Sequence, residues 1–594
     1  MSAAELQRAR ALLSQGKPAE AKQAAMRALA RSPRDAQTHG LASVLFAALG
    51  ETERALFYAE RSATLAPHDA RAVATLGDAL LAAGRTADAL PVLDRAIERD
   101  PSFLEALVSR THALAVLRRW SDAEAAARDA LELHPNEPRL TGNLAACLIE
   151  TGHARGAVDL LRAARAVHPD DLRIATALAQ ACTYADGLSA EEVWLEHKAY
   201  GDLLERLAPA PPAPHANTPE PERTIRVGLL SSDLRWHPVG LFVETLLRAL
   251  PRDRLHVVCF ATSSAEDAVT LRLRALSDTW QQVAHLSIGE LAAAIRKDAI
   301  DILVDLGGHT ASSRLPALHL KPAPVQASWL GYLNTTGLQR IDHRLVDAHT
   351  DPAEAQHWSA EALVRLEPAF LAYTPSSDAP ETPPARDPAQ PFTFGSFNAL
   401  SKCTDATVEL WSRVLNAAPG SRLVLRHTAL GVPEVCEKLR ARFASHGIDP
   451  ARISTEPPVP DHAALFKAYA HIDVALDPLP FNGGTTTCES LLAGLPVVTL
   501  PGERSCSRVG LSLLSAAGLK ECVARDGAHY VEIASAFARE PDRLAALRAE
   551  LPERIRASAL CDGERFALSF EGALREMWRG WCARGANSGG GEHG

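Results

Sequence analysis

Five prolines, Pro33, Pro67, Pro101, Pro135 and Pro169, stand 34 residues apart, and a spacing held that strictly means one structural unit stacked on copies of itself. Other positions keep the same frame. Ala21, Ala55, Ala89, Ala123 and Ala157 are all alanine; Ala28, Ser62, Ala96, Ala130 and Ala164 are small, as are Ala9, Ser43, Gly77, Thr111 and Ala145. Small side chains at such points let the two helices of a hairpin approach closely, and a proline beyond the second helix ends it, because the ring cannot continue the hydrogen-bond ladder. Gly16, Gly50, Gly84 and Gly152 mark the turn inside each hairpin, with Arg118 the exception. A single alanine-rich bundle would show apolar faces but no fixed grid.

This pattern resembles tetratricopeptide repeats over about residues 2–172, five units where about three suffice for a stable stack. Residues 188–207 then read as one more amphipathic helix, offering Trp194, Leu195, Tyr200, Leu203 and Leu204 for burial. Six prolines between 208 and 222 predict a semi-rigid exposed linker and a domain boundary.

From residue 224 the period changes. The runs IRVGLL, HVVCFA, DILVDL and HRLVDA alternate with helical stretches, a proline-rich segment at 374–391 interrupts, and the alternation restarts with FTFGSF, SRLVLRH, ARISTEP, IDVALD and PVVTL. Alternation of this kind predicts parallel sheets with covering helices, two α/β domains in all, with a ligand cleft between them. The expected division is a repeat array at 1–185, a connecting helix and linker at 186–222, α/β domains at 223–375 and 376–580, and an unstructured glycine-rich tail at 581–594.

A length of 594 residues requires several cores. A net charge of −10 argues against a general binder of nucleic acid or anionic membrane while leaving room for a local basic pocket. The ten cysteines form no CxxC pair and no metal-ligand spacing, which fits a reduced, cytoplasmic setting. MSAAELQRAR lacks a signal-peptide core, and no apolar run reaches membrane-spanning length.

Chemistry concentrates in DPLPFNGGTTTCESLLAGLPVVTL, from Asp477 to Leu500. A strand ends at Asp477, a proline and glycine loop follows, and Thr485, Thr486 and Thr487 open a helix. Free N–H groups at a helix start, beside hydroxyls and with Gly484 removing bulk, make an anion site suited to a diphosphate; a plain capped core helix fits the same residues. Glu489, on the first turn, could accept from ribose hydroxyls or simply complement the helix dipole.

LRWHPVG at 234–240, GGHT at 307–310, KPAPVQASWLGYLNTTG at 321–337, FGSFNALSKCTD at 394–405 and LPGERSCSRVGLSLL at 500–514 together resemble the catalytic region of the protein O-GlcNAc transferase and SPINDLY family, from about 224 to 580. The resemblance implies a GT-B fold of two facing Rossmann-like domains behind the α-solenoid. It also implies transfer of a sugar from a nucleotide diphosphate to protein Ser or Thr, without cofactor or metal. It assigns Lys402 and the threonine loop, Gly484 to Thr487, to the donor's diphosphate, Glu489 to its ribose and the backbone near Val459 to the base. His237, with Asp233 four residues before it, falls beside the donor sugar and the acceptor hydroxyl. The expected donor is UDP-GlcNAc, and the expected partners are protein acceptors held by the repeats. Gly484 stands where the animal enzymes carry His, and the following CESL is closer to SPINDLY, whose plant member uses GDP-fucose. UDP-glucose is a further alternative, as is a repeat scaffold without catalysis. Leu333 replaces a usual proline, and Tyr200-Gly201 replaces a His-Gly pair of the animal enzymes, so the base role once proposed for that pair is not carried over.

Overall fold

The computed structural model describes residues 2–14, 17–209, 213–310, 312–383, 386 and 389–588; Gly16 and most of the glycine-rich tail lie outside them. Helices of 13 and 14 residues alternate on the 34-residue grid: Ala36–Ala48 with Thr52–Leu65, Ala70–Ala82 with Thr86–Arg99, and Leu104–Val116 with Trp120–Leu133. Asp35 and Asp69 start two of the first helices by accepting backbone N–H groups, which satisfies donors that a helix start leaves free. The grid alanines Ala21, Ala55, Ala89 and Ala123 are fully buried, as close helix packing requires. Successive units are also braced through polar side chains: Arg99 Nε donates to Pro67 O at 2.8 Å, and the His134 ring meets Ser102 O at 2.7 Å.

A sixth helical pair extends the array beyond the five expected. Leu172–Tyr184 begins 34 residues after Pro138–Glu150, and Ala179 keeps the small-residue position. The helix read from sequence at 188–207 is its partner, Ala190–Leu207, opened by a Ser189/Glu192 capping box. Only the missing proline and the longer turn hid the pair.

The chain forms two compact units, 1–151 with 159–169, and 152–158 with 170–594. The division therefore falls before the sixth pair and not at the 208–222 linker. In the second unit the Tyr332 hydroxyl meets His197 Nε2 at 2.6 Å and Thr183 Oγ1 at 2.9 Å. The backbones of Gly201 and Gly337 pass so closely that a Cβ on Gly201 would sit 1.9 Å from the Gly337 carbonyl. The linker is exposed but tied down: Asn217 Nδ2 donates to Asp301 Oδ1 at 2.7 Å, and Trp578 Nε1 donates to Glu220 O at 2.9 Å.

The first sheet holds β1 (Ile225–Ser231), β2 (Leu255–Ala261), β3 (Thr279–Gln282), β4 (Ile302–Asp305), β5 (Val325–Trp329), β6 (His343–Val346) and β7 (Ala362–Arg365), all parallel, in the order β3-β2-β1-β4-β5-β6-β7. The second holds β8 (Thr393–Ser396), β9 (Arg422–Arg426), β10 (Ile453–Glu456), β11 (Val474–Leu476) and β12 (Val497–Val498), also parallel, ordered β10-β9-β8-β11-β12. Both are Rossmann-like, with the winding reversed between β1 and β4 and between β8 and β11. β3, β5 and β7 escape a reading by hydrophobic runs, since TWQQ, VQASW and ALVR are short or carry polar residues. In β5 the buried Gln326 Nε2 donates to Leu318 O and Arg340 O.

The C-terminal helix, Gly563–Ser588, corrects two expectations. It is ordered through 581–588, where a tail was expected. It also leaves the second α/β domain to cover the first, packing Phe566 and Phe570 against Trp329 at 6.0 and 4.9 Å between ring centroids. Buried aromatics of this size would expose a large apolar face if the helix stayed with its own sheet. No described helix is long and apolar enough to cross a membrane. Nine of the ten cysteines are buried and all ten are free thiols.

The turn inside the repeats takes a left-handed conformation, with φ of 74° at Gly50, 71° at Gly84, 81° at Gly152 and 60° at Arg118. Arg118 bears the steric cost that glycine avoids, roughly 1–2 kcal/mol, less the entropy that glycine loses on folding. Arg118→Gly should raise stability by about 0.5–1 kcal/mol in urea denaturation; a loss of stability would contradict this account of the turn.

Candidate functional site

Topology brings the chemistry together. Asp233 and His237 follow β1, the GGHT segment follows β4, Asn398 and Lys402 follow β8, and Asp477 with the threonine loop follows β11. All four loops leave the carboxyl ends of strands at the two winding reversals, where open α/β sheets bind ligands.

Lys402 sits in a short 3-10 turn, Leu400–Lys402, and its Nζ donates to Asn482 O at 2.7 Å while lying 4.3 Å from the centroid of the Phe481 ring. Burial pulls the ammonium below its ordinary pKa, and the nearby Asp477 carboxylate opposes that. Asp477 is 1% exposed. It accepts from Gly483 N–H and from Thr499 Oγ1, each at 2.6 Å, so it pins the start of the loop that Lys402 touches.

That loop delivers the helix Thr485–Leu492, whose N-cap is Gly484. Among the described residues the N–H groups of Gly484, Thr485 and Thr486 have no hydrogen-bond partner. Thr485 Oγ1 is buried without one as well. Thr486 Oγ1 donates to Asn398 Oδ1 at 2.9 Å, and Thr487 is buried. A Cβ on Gly484 would meet nothing within 4 Å. Unsatisfied donors around open space, beside an ammonium, form a concave anion site.

Glu489 is buried and bonded to His462 Nε2 at 2.9 Å; burial raises its pKa against the pull of His462. His462 meets Trp236 edge-on at 5.5 Å between centroids, which joins the second α/β domain to the His237 loop of the first. Pro460, Asp461 and His462, just beyond Val459, line a cavity of about 930 Å³ together with Trp236, Leu241 and Tyr373. Neither Asn398, Asp477 nor His462 was singled out from sequence. Asp477 lay at the end of a recognised strand, but nothing local showed that its carboxylate turns inward.

His237 caps the helix Pro238–Ala249, its Nδ1 accepting from Val239 N–H at 3.3 Å. Burial lowers its pKa, with Asp233 opposing. The ring is therefore neutral near pH 7, and with Nδ1 accepting it carries its hydrogen on Nε2. Asp233 Oδ2 lies 3.9 Å from His237 Nδ1, and Asp233 Oδ1 lies 3.6 Å from Arg235. Close packing fixes this loop, since a Cβ on Gly240 would lie 2.1 Å from Arg235 O.

The motif at 500–514 joins domains. Arg344 Nη1 donates to Ser505 Oγ at 3.1 Å and its Nη2 to Asp351, Ser505 Oγ donates to Asp351 at 2.7 Å, and Arg508 Nε donates to His349 O at 2.7 Å.

Family models describe the same architecture. The model for glycosyl transferase family 41 matches residues 206–373 and 385–570, and tetratricopeptide models match 6–70, 74–138 and 117–181. The chain belongs to glycosyl transferase family 41, with a tetratricopeptide array ahead of the family region. It is similar to the probable UDP-N-acetylglucosamine–peptide N-acetylglucosaminyltransferase SPINDLY of Solanum lycopersicum, at 36% identity over 70% of this chain and 45% of that protein. It also resembles the Arabidopsis thaliana protein of the same description called SEC, at 28% identity over 67% of this chain and 42% of the other. The chain thus spans less than half the length of these relatives. A solved structure of a mutant Thermobaculum terrenum O-GlcNAc transferase superposes with a TM-score of 0.81 at 34% identity, covering 87% of this chain and 98% of that one.

The two glycines of the loop are expected to differ. A Cβ on Gly483 would lie 2.7 Å from both the Thr486 and Thr487 hydroxyls. Gly483→Ala should therefore destabilise the fold by about 1–3 kcal/mol, read as a lower melting temperature. Gly484→Ala should melt within about 1 kcal/mol of wild type yet weaken nucleotide binding by occupying the open approach. Equal behaviour of the two variants would refute this division of roles.

Proposed function

We propose that this chain is a protein O-glycosyltransferase that moves a single sugar, GlcNAc from UDP-GlcNAc, to Ser or Thr hydroxyls of intracellular proteins, with inversion and without a metal ion. The carrying observation is that the Lys402 ammonium bonds Asn482 O in the same loop whose helix start leaves the N–H groups of Gly484, Thr485 and Thr486 free, at the second sheet's winding reversal. The relatives' printed descriptions support the donor and the peptide acceptor.

In an inverting transfer the acceptor oxygen attacks the anomeric carbon from the face opposite the diphosphate. The bond to the diphosphate oxygen breaks, its electron pair leaves with that oxygen, and the acceptor hydroxyl releases its proton to solvent late in the step. Charge develops on the leaving group as the bond lengthens, so a fixed cation and preorganised N–H donors stabilise the transition state more than the bound donor. Glu489, with His462 behind it, takes the ribose, and the backbone near Val459 takes the base. His237 donates from Nε2 and orients the reacting groups, since its Nδ1 is already occupied by Val239. Asp233 Oδ2 lies 3.9 Å from Nδ1 of that ring. The tetratricopeptide units hold the acceptor protein, whose single hydroxyl must reach the sugar.

Lys402→Ala should lower donor hydrolysis and protein glycosylation by roughly a hundred-fold or more with an unchanged melting temperature; near-wild-type turnover would remove Lys402 from the mechanism. A thermal-shift panel of UDP-GlcNAc, UDP-glucose and GDP-fucose tests the donor, and stabilisation by GDP-fucose alone would replace UDP-GlcNAc in this reading. Deleting residues 1 to about 135 leaves the second compact unit whole and should impair glycosylation of whole proteins far more than donor hydrolysis. Unchanged protein glycosylation would show that the repeats do not hold the acceptor.

A further inference from the structure

The turn of the sixth helical pair, between Leu172–Tyr184 and Ala190–Leu207, reaches the residues that hold Lys402. The Tyr184 ring stacks on Phe481 with centroids 4.9 Å apart and planes 17° from parallel, and Phe481 is the ring that carries the Lys402 ammonium. Among the described residues these are the aromatic and cation contacts of the Phe481 ring. The next residue, Asn482, offers the carbonyl that Nζ bonds, so displacing Phe481 disturbs both contacts of the ammonium at once.

The turn itself is held firmly. Arg504 Nη1 donates to Cys182 O at 2.7 Å and Nη2 to Ala185 O at 2.8 Å, bracketing Tyr184 from both sides. Asp186 Oδ2 accepts from Ala406 N at 3.0 Å, four residues beyond Lys402. A tyrosine whose backbone is fixed two residues before and one after it places its ring with little freedom. Stacked rings and a cation over an aromatic face are attractive only over short distances.

We propose that Tyr184 is a positioning residue for the reaction, holding the Lys402 ammonium at the diphosphate site through the Phe481 ring. This rests on the reading that Lys402 stabilises the leaving diphosphate. It makes the last helical pair part of the catalytic apparatus, and it gives the array a route by which strain at its end can change turnover.

The test uses the full chain and the nucleotide sugar that it hydrolyses best among UDP-GlcNAc, UDP-glucose and GDP-fucose. Tyr184→Ala should lower kcat for hydrolysis on the order of tenfold, the scale of a small misplacement in an active site, with KM little changed. Tyr184→Phe keeps the ring and should restore the wild-type rate. In a Lys402→Ala background Tyr184→Ala should cause no further loss, because coupled residues are not additive. Phe481→Leu keeps an apolar side chain but removes the ring; it should reproduce the loss, and it carries the test if Tyr184→Ala does not fold. A wild-type kcat in Tyr184→Ala, equal impairment of the Ala and Phe variants, or an additive loss in the double variant would overturn the proposal. If Lys402→Ala itself stays active, the reading of the site fails; if it is inactive while Tyr184→Ala is unaffected, only the role of Tyr184 fails.

Discussion

The segment from Arg504 to Arg508 is the constraint on which the catalytic region depends. Arg504 holds the turn of the sixth helical pair through two carbonyls, Ser505 joins the Arg344–Asp351 pair of the first α/β domain, and Arg508 reaches His349. Arg344, Asp351 and Arg504 are all buried. Guanidinium and carboxylate groups removed from water tolerate little misalignment, and deleting one partner leaves an uncompensated charge at a cost of about 3–5 kcal/mol. The two domains and the helical pair are therefore held in one arrangement, with the cleft loops facing one another.

Within that frame the site is assembled from backbone more than from side chains. A helix start with unpaired N–H groups is a fixed partial positive charge, and Asp477 anchors the loop that leads to it. Gly484 keeps the approach clear, and Lys402 adds a full positive charge. Such a site needs no reorganisation as charge builds on a leaving group, which is the condition under which electrostatic stabilisation is most effective. Placement at a winding reversal follows from topology, because adjacent loops there diverge to opposite faces of the sheet and leave a crevice.

The repeat grid was legible down to single residues, including Arg118 as the odd member of the turn. The order of α/β elements was legible wherever a strand is an unbroken apolar run. β5 and the sixth helical pair were not, since the first carries Gln326 and Ser328 and the second lacks the proline that marks the others. Lys402, the threonine loop, Glu489 and His237 could be named from motifs, but Asn398, His462 and Tyr184 could not. Each of those acts through a partner far away in sequence.

The sequence by itself determined what each segment could become, because helix period, capping residues, turn glycines and buried runs are local properties of the chain. Which segments meet was decided only in three dimensions. The 208–222 stretch has the composition of a free linker, yet Asn217 and the Glu220 carbonyl fasten it to Asp301 and Trp578. The last helix belongs by sequence order to the second sheet, yet its aromatics are buried on Trp329 of the first. Tyr184 lies at the end of the repeats, yet its ring backs the lysine of the anion site. Burial of apolar area and satisfaction of buried polar groups are properties of the whole packed molecule, and no window of sequence contains them.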